Sequence, residues 1–211
     1  MYLEAVGSSI GSVVSIVTTC PVCSKGGTLV PFSNIPDCRI NNRQNEAFVA
    51  GQRKCPNPSC SAHIFFLRAP DGATVFYPKL RIEFNAESIP AQIRSSFDEV
   101  VTCHAEGCYV ASAIMVRRTL EELCEDKGCT GSNLFQRIEA LKNSVVLPQE
   151  LFAALDELRL LGNDAAHLES KSYDNIGEEE LSVAIELTKE ILKSVYQMEG
   201  LVNRLRKLKK S

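Results

Sequence analysis

The amino-acid sequence predicts an α+β protein, a small antiparallel β module followed by an all-α antiparallel helical bundle. Two observations predict it. Two cysteine pairs, in "CPVC" and "CPNPSC", sit among short β-branched and aromatic runs within the first 88 residues. From Pro90 onward, apolar residues recur at three- and four-residue steps, the period of a helix buried along one face. With 211 residues, 45% hydrophobic and 23% charged, the chain has the make-up of a soluble globular protein of one or two domains. The two patterns divide it into residues 1–88, the β module, and residues 89–211, the bundle with a basic C-terminal tail.

The elements can be taken in order. "SVVSIVTT" and "TLVPF" read as strands flanking "CPVC". "AHIFFL", "TVFYP" and "LRIEF" follow the second cysteine pair, with "PDG" turning the chain between the first two. Pro90 opens a first helix towards Gly107, since proline is at home in the first turn. A second helix spans Cys108 to about Cys124, with Val110, Ala113, Ile114, Leu120 and Leu123 on its apolar face. Asn133 and Gln136 have capping-box spacing ahead of "LFQRIEALK". Pro148 begins a fourth helix. "GEEELSVAIELTKEILKSVYQM" forms the last and longest, acidic at its start as the helix dipole favours.

Charge is uneven. Residues 1–88 hold 8 basic and 6 acidic side chains, and residues 89–211 hold 15 and 20. Five of those 15 crowd into the tail "RLRKLKK". An acidic helical body repels a long phosphate backbone, which confines any nucleic-acid contact to the tail, the N-terminal module or a narrow cleft. No apolar run reaches the length of a membrane span. "MYLEAVGSSIGSVVSIV" carries Glu4 and no basic leader, unlike a secretory signal. Nine cysteines without such a signal predict a reducing cytoplasm and a metal site rather than a disulfide framework.

Cys20, Cys23, Cys55 and Cys60 are the candidate ligands. Two short cysteine turns let four thiolates converge tetrahedrally, the arrangement structural zinc prefers, with one ion per chain. The second pair has four intervening residues rather than two, so Cys38 and His63 stand as alternative ligands. Four protein ligands leave no position for water, so such a site supports folding rather than catalysis. "CHAEGC" places His104 and Glu106 at the H-x-E spacing of zinc deaminases, but the required Pro-Cys-x-x-Cys pair is missing. Cys103, Cys108, Cys124 and Cys129 read instead as small apolar core residues, and His104 as an exposed helix histidine.

"LRLLGNDAAHL" places Arg159, Asn163 and His167 four residues apart, one polar stripe on a helix, beside a Gly162 that suits close packing. Together with "GCYVASAIMVRRTLEELC" and "NLFQRIEALK", this stretch resembles a bacterial domain-of-unknown-function family of the HEPN superfamily (higher eukaryotes and prokaryotes nucleotide-binding). The resemblance covers roughly residues 90–200, and members often carry an N-terminal zinc ribbon. It implies an all-helical bundle and, in many members, a dimeric metal-independent endoribonuclease of toxin–antitoxin or antiphage systems. Its usual motif is an arginine, often followed by a polar residue, then four to six residues, then histidine. Carried over, His167 is the histidine and Asn163 the polar residue. Gly162 stands where arginine is commonest, and Arg159 lies one turn earlier, about 80° around the helix and ~12 Å along it from His167. Histidine would exchange the proton, arginine would neutralise phosphate charge, and Asn163 would orient either. Arg117, Glu121 and Asp164 are the supporting candidates. Two functions stay open: an RNA-cleaving homodimer with Arg159 paired to a sheltered His167, or a non-catalytic adaptor binding nucleic acid or another defence-system protein.

Overall fold

The structure, a computed structural model, describes residues 4–167, 173 and 175–208. The chain divides into two compact units, Met1–Glu83 and Phe84–Ser211. The sequence pattern put that boundary at 88/89. It falls earlier because Phe84, at the end of "LRIEF", packs edge-on against Phe97 of the first helix with ring centroids 4.4 Å apart. Residues 80–84 accordingly form no strand.

The first unit has eight short strands among the described residues: β1 (Gly7–Ile10), β2 (Val17–Thr19), β3 (Gly26–Thr28), β4 (Val30–Pro31), β5 (Cys38–Asn41), β6 (Ala47–Lys54), β7 (His63–Arg68) and β8 (Thr74–Tyr77). The main sheet runs β1-β5-β6-β7-β8 with β4 beside β6, every pairing antiparallel, while β2 and β3 form a separate hairpin. The "PDG" turn joins β7 to β8, with Gly72 at φ +91° where a side chain would be strained. Ile16, Leu29, Ile64 and Phe66 form a small core together with Cys20 and Cys55.

Beside that core lies an ion pair that sequence reading missed. Arg53, 1% exposed, donates two hydrogen bonds to the Asp37 carboxylate at 2.7 and 2.6 Å and a third to the Val14 carbonyl at 2.6 Å. Asp37 also accepts the Val14 N–H at 2.7 Å, so the pair ties β5, β6 and the segment before β2 together. Gly51 is required here, because a Cβ would collide with Asp37 and lie 2.6 Å from the Phe66 ring.

The second unit has six helices among the described residues: α1 (Ala91–Ala105), α2 (Tyr109–Asp126), α3 (Leu134–Leu141), α4 (Gln149–Ala166), α5 (Glu178–Tyr196) and α6 (Met198–Lys207). Helix α2 is central and packs against α1, α3, α4 and α5. Its buried face is Ala113, Val116, Leu120 and Leu123; Val110 and Ile114, expected there, are largely exposed. Asn133 caps α3 by accepting the Gln136 N–H at 3.0 Å, while the Gln136 side chain accepts the Ser132 N–H at 2.9 Å.

The four remaining helix cysteines share one job. Gly107 and Gly128 both take positive φ, 74° and 68°. Across them, Cys108 N–H reaches Cys103 O and Cys129 N–H reaches Cys124 O, each at 2.8 Å. Gly107 N–H likewise reaches His104 O, and Gly128 N–H reaches Glu125 O. These are two copies of the Schellman cap, with cysteine at both ends of the six-to-one hydrogen bond. Cys124 and Cys129 are buried as expected, but Cys103 is half-buried and Cys108 exposed. No described helix is long and apolar enough to cross a membrane.

Candidate metal centre and helix-end site

Two hairpins position the four cysteines. Cys20 and Cys23 occupy the turn between β2 and β3; Cys55 and Cys60 occupy the turn between β6 and β7. Each turn begins Cys-Pro, and each second cysteine precedes a serine at positive φ, Ser24 at 54° and Ser61 at 50°. The chain thereby curls around each pair, with Cys20 N–H bonded to Lys25 O and Cys55 N–H to Ala62 O.

All four sulfurs lie within 4.8 Å of one another, a set that can hold a metal ion. Cys20 Sγ is 3.9 Å from Cys60 Sγ, and Cys23 Sγ is 3.7 Å from Cys55 Sγ. A tetrahedral Zn–S₄ centre with bonds near 2.3 Å has sulfur–sulfur edges of about 3.8 Å, so the donor set fits. The alternative ligands lie elsewhere. The Cys38 thiol faces the Arg39 carbonyl, and His63 stacks between Phe32 and Phe65 while bonding Gln52 at 2.7 Å.

The environment around the sulfurs is polarised. The Lys25 backbone N–H and the Asn57 amide, 3.6 Å from the sulfur, pull the Cys23 thiol down to about 6. Burial pushes Cys55 up to about 12. Four thiols this close resist full ionisation unaided, and a divalent cation removes the conflict. Asn57 was not foreseen; its signal was its place inside "CPNPSC".

The second candidate site lies at the end of α4. Gly162 sits against α2, where a Cβ would be 2.5 Å from Arg117 Cβ and 3.2 Å from the Ala113 carbonyl. The glycine therefore serves helix–helix contact, setting α4 against the base of the Arg117 side chain. Arg117 is paired with Glu121 at 3.1 Å.

Arg159 points the other way. Its Nε bonds Asp156 Oδ1 at 3.3 Å, and its guanidinium lies 5.3 Å from the centre of the Phe135 ring. Side chains on a helix lean towards its N-terminus, which carries Arg159 towards α3 rather than His167. His167 is not sheltered. The helix ends at Ala166, and His167 caps it in extended backbone (φ −132°, ψ 118°), exposed, with its N–H on the Asn163 carbonyl at 3.0 Å. Asp164 accepts the Tyr173 N–H at 2.8 Å, and the Tyr173 hydroxyl donates to Glu157 at 3.0 Å, so Tyr173 is strapped along α4. The deaminase-like histidine is half-buried rather than exposed: His104 bonds Ser182 Oγ at 3.1 Å and packs edge-on against Tyr109.

Residues 98–209 match the family model of a domain of unknown function, DUF4145. No curated protein and no solved structure matches the chain.

Proposed function

The chain belongs to the DUF4145 family, and from that premise we propose that its helical unit is a HEPN-type, metal-independent endoribonuclease carried beside a structural zinc ribbon. One observation carries the reading: His167 ends α4 exposed rather than sheltered, one turn beyond Asn163, so its ring is open to a substrate. Its imidazole would take the proton of an RNA 2′-OH or return one to the leaving oxygen. Asn163 would orient the ribose or phosphate. Arg117 would offset charge on the phosphate, and Arg159 would do so only on leaving Asp156 and Phe135. Cleavage needs one group to accept a proton and another to donate it, and the stripe offers a single histidine. A homodimer joining two stripes supplies the second.

The test is RNA cleavage by the full-length protein without added metal. Wild type should cut, and His167→Ala should lose cleavage while its melting curve stays unchanged, since an exposed ring leaves no cavity. Failure of the wild type to cut any RNA would overturn the reading, and light scattering showing a monomer would overturn the composite site. A second reading rests on the engagement of Arg159 with Asp156 and Phe135. On it the unit is a non-catalytic adaptor for nucleic acid or for a protein of the same defence complex, and His167→Ala is silent.

A further inference from the structure

Helix α6 has no buried residue. Met198, Leu201, Leu205 and Leu208 recur at steps of three, four and three, forming one stripe, and Leu205 and Leu208 are 68% and 79% exposed. The rest of the helix is basic, with Arg204, Arg206 and Lys207 against Glu199 alone, and Lys209 and Lys210 follow in sequence. A ten-residue helix that buries nothing is marginal by itself, because propensity seldom overcomes the cost of nucleation. It needs a surface that is apolar in the middle and acidic at the edge.

The same unit has such a surface. Between α4 and α5 runs a groove of about 310 Å³ lined by the exposed Val183, the half-buried Leu187 and Tyr173, and the buried Leu158 and Leu161. Its rim carries Glu157, Glu179 and Glu180, and no Lys or Arg lines it among the described residues. Val183 is 57% exposed. Helix α6 of the same chain does not line this groove; it packs against α5 and faces the turn at Asn85–Ser88.

We propose that α6 is an exchanged arm: the Met198–Leu208 stripe of one chain docks in the α4–α5 groove of a second copy, and the two copies do so reciprocally. Charge decides between this and the simpler pairing of two α6 helices. With Met198 and Leu205 at a and Leu201 at d, Arg204 falls at g. In an antiparallel pair that position faces its own copy, so self-pairing sets cation against cation. The groove sets the same cations against three glutamates. Two-fold symmetry makes each contact twice, which doubles a modest interface.

The inference names how the homodimer required by the His167 reading would be held, so a monomeric wild type would overturn both, while the variants below separate them. Its test is light scattering and sedimentation of the full-length protein at micromolar concentration. Wild type should be a dimer, and Leu205→Glu with Leu208→Glu should be a monomer with unchanged helical circular dichroism, as both side chains are exposed. Glu157→Lys with Glu179→Lys should weaken dimerisation by about ten-fold or more, and adding Arg204→Glu and Lys207→Glu should restore it. A monomeric wild type, a dimer untouched by the leucine changes, or no rescue by charge exchange would each overturn the arm. So would an arm that binds anionic lipid vesicles while the protein stays monomeric. His167→Ala should leave the dimer intact, so loss of cleavage and loss of the arm contact are read separately.

Discussion

The ribbon unit buries six apolar side chains in one cluster, two of them cysteines of the metal site, whereas the helical unit draws leucine, isoleucine, valine and phenylalanine from five helices. A unit of about 80 residues with so thin a core lies near the size at which proteins need staples. It has two: the four-thiol cluster that joins its two hairpins, and the Arg53–Asp37 pair that joins β5 and β6 to the segment before β2. The helical unit relies on caps and close packing instead. Its cysteines sit in Schellman turns, outside any metal-holding cluster among the described residues. The same residue type thus does different work in the two units, and the comparison can be broken by removing each support in turn.

The largest effect is expected from the metal. Chelation, or Cys20→Ser with Cys23→Ser, should unfold the ribbon unit, because binding energy at a structural zinc site is folding energy. The helical circular dichroism should survive. Acidification should mimic chelation, since the ligands must be thiolates. Elemental analysis of freshly purified protein should find about one zinc per chain. Protein with no zinc and an intact sheet would remove the difference between the units.

Next comes the ion pair. Asp37→Ala leaves the Arg53 guanidinium 1% exposed and without its carboxylate, which should cost about 3–5 kcal/mol of ribbon stability. Burial alone would raise the Asp37 pKa, but hydrogen bonds from Arg53 and from the Val14 N–H hold it below the usual carboxylate range. A depressed folded pKa stabilises above the unfolded value and loses that contribution as pH falls through the folded one. The difference between wild type and Asp37→Ala in denaturant should therefore narrow on acidification. A difference that grows would contradict the pairing.

Legibility followed the range of each interaction. The four ligands could be read because each pair is local and its spacing is a chemical signature; the fold class, the α3 cap and most helix starts were readable for the same reason. Arg53–Asp37 was not, because sixteen residues and two strands separate partners that look like ordinary surface charges. The helix cysteines were read as core by type, although the Gly-Cys that ends each run already marked a cap. Spacing correctly put Arg159 and Asn163 on one helix, but it fixes neither where a long side chain points nor where the helix ends. Arg159 turned towards Asp156 and Phe135, and the helix stopped one residue before His167.

The smallest effect tests the packing that replaces staples in the helical unit. Exposed mid-helix glycine is worth about 1 kcal/mol less than alanine, so Gly162→Ala should stabilise α4 if nothing opposes it. Here the added methyl would stand 2.5 Å from Arg117 Cβ and 3.2 Å from the Ala113 carbonyl. Neither atom is the far end of a flexible chain; both are fixed to the α2 backbone, so the helices must part. Overpacking of this kind costs about 1–3 kcal/mol, enough to cancel or exceed the gain in propensity. Gly162→Ala should therefore melt the helical unit at a lower temperature than wild type while leaving zinc content and the ribbon unchanged. A raised melting temperature would mean that α2 and α4 do not meet closely at Gly162.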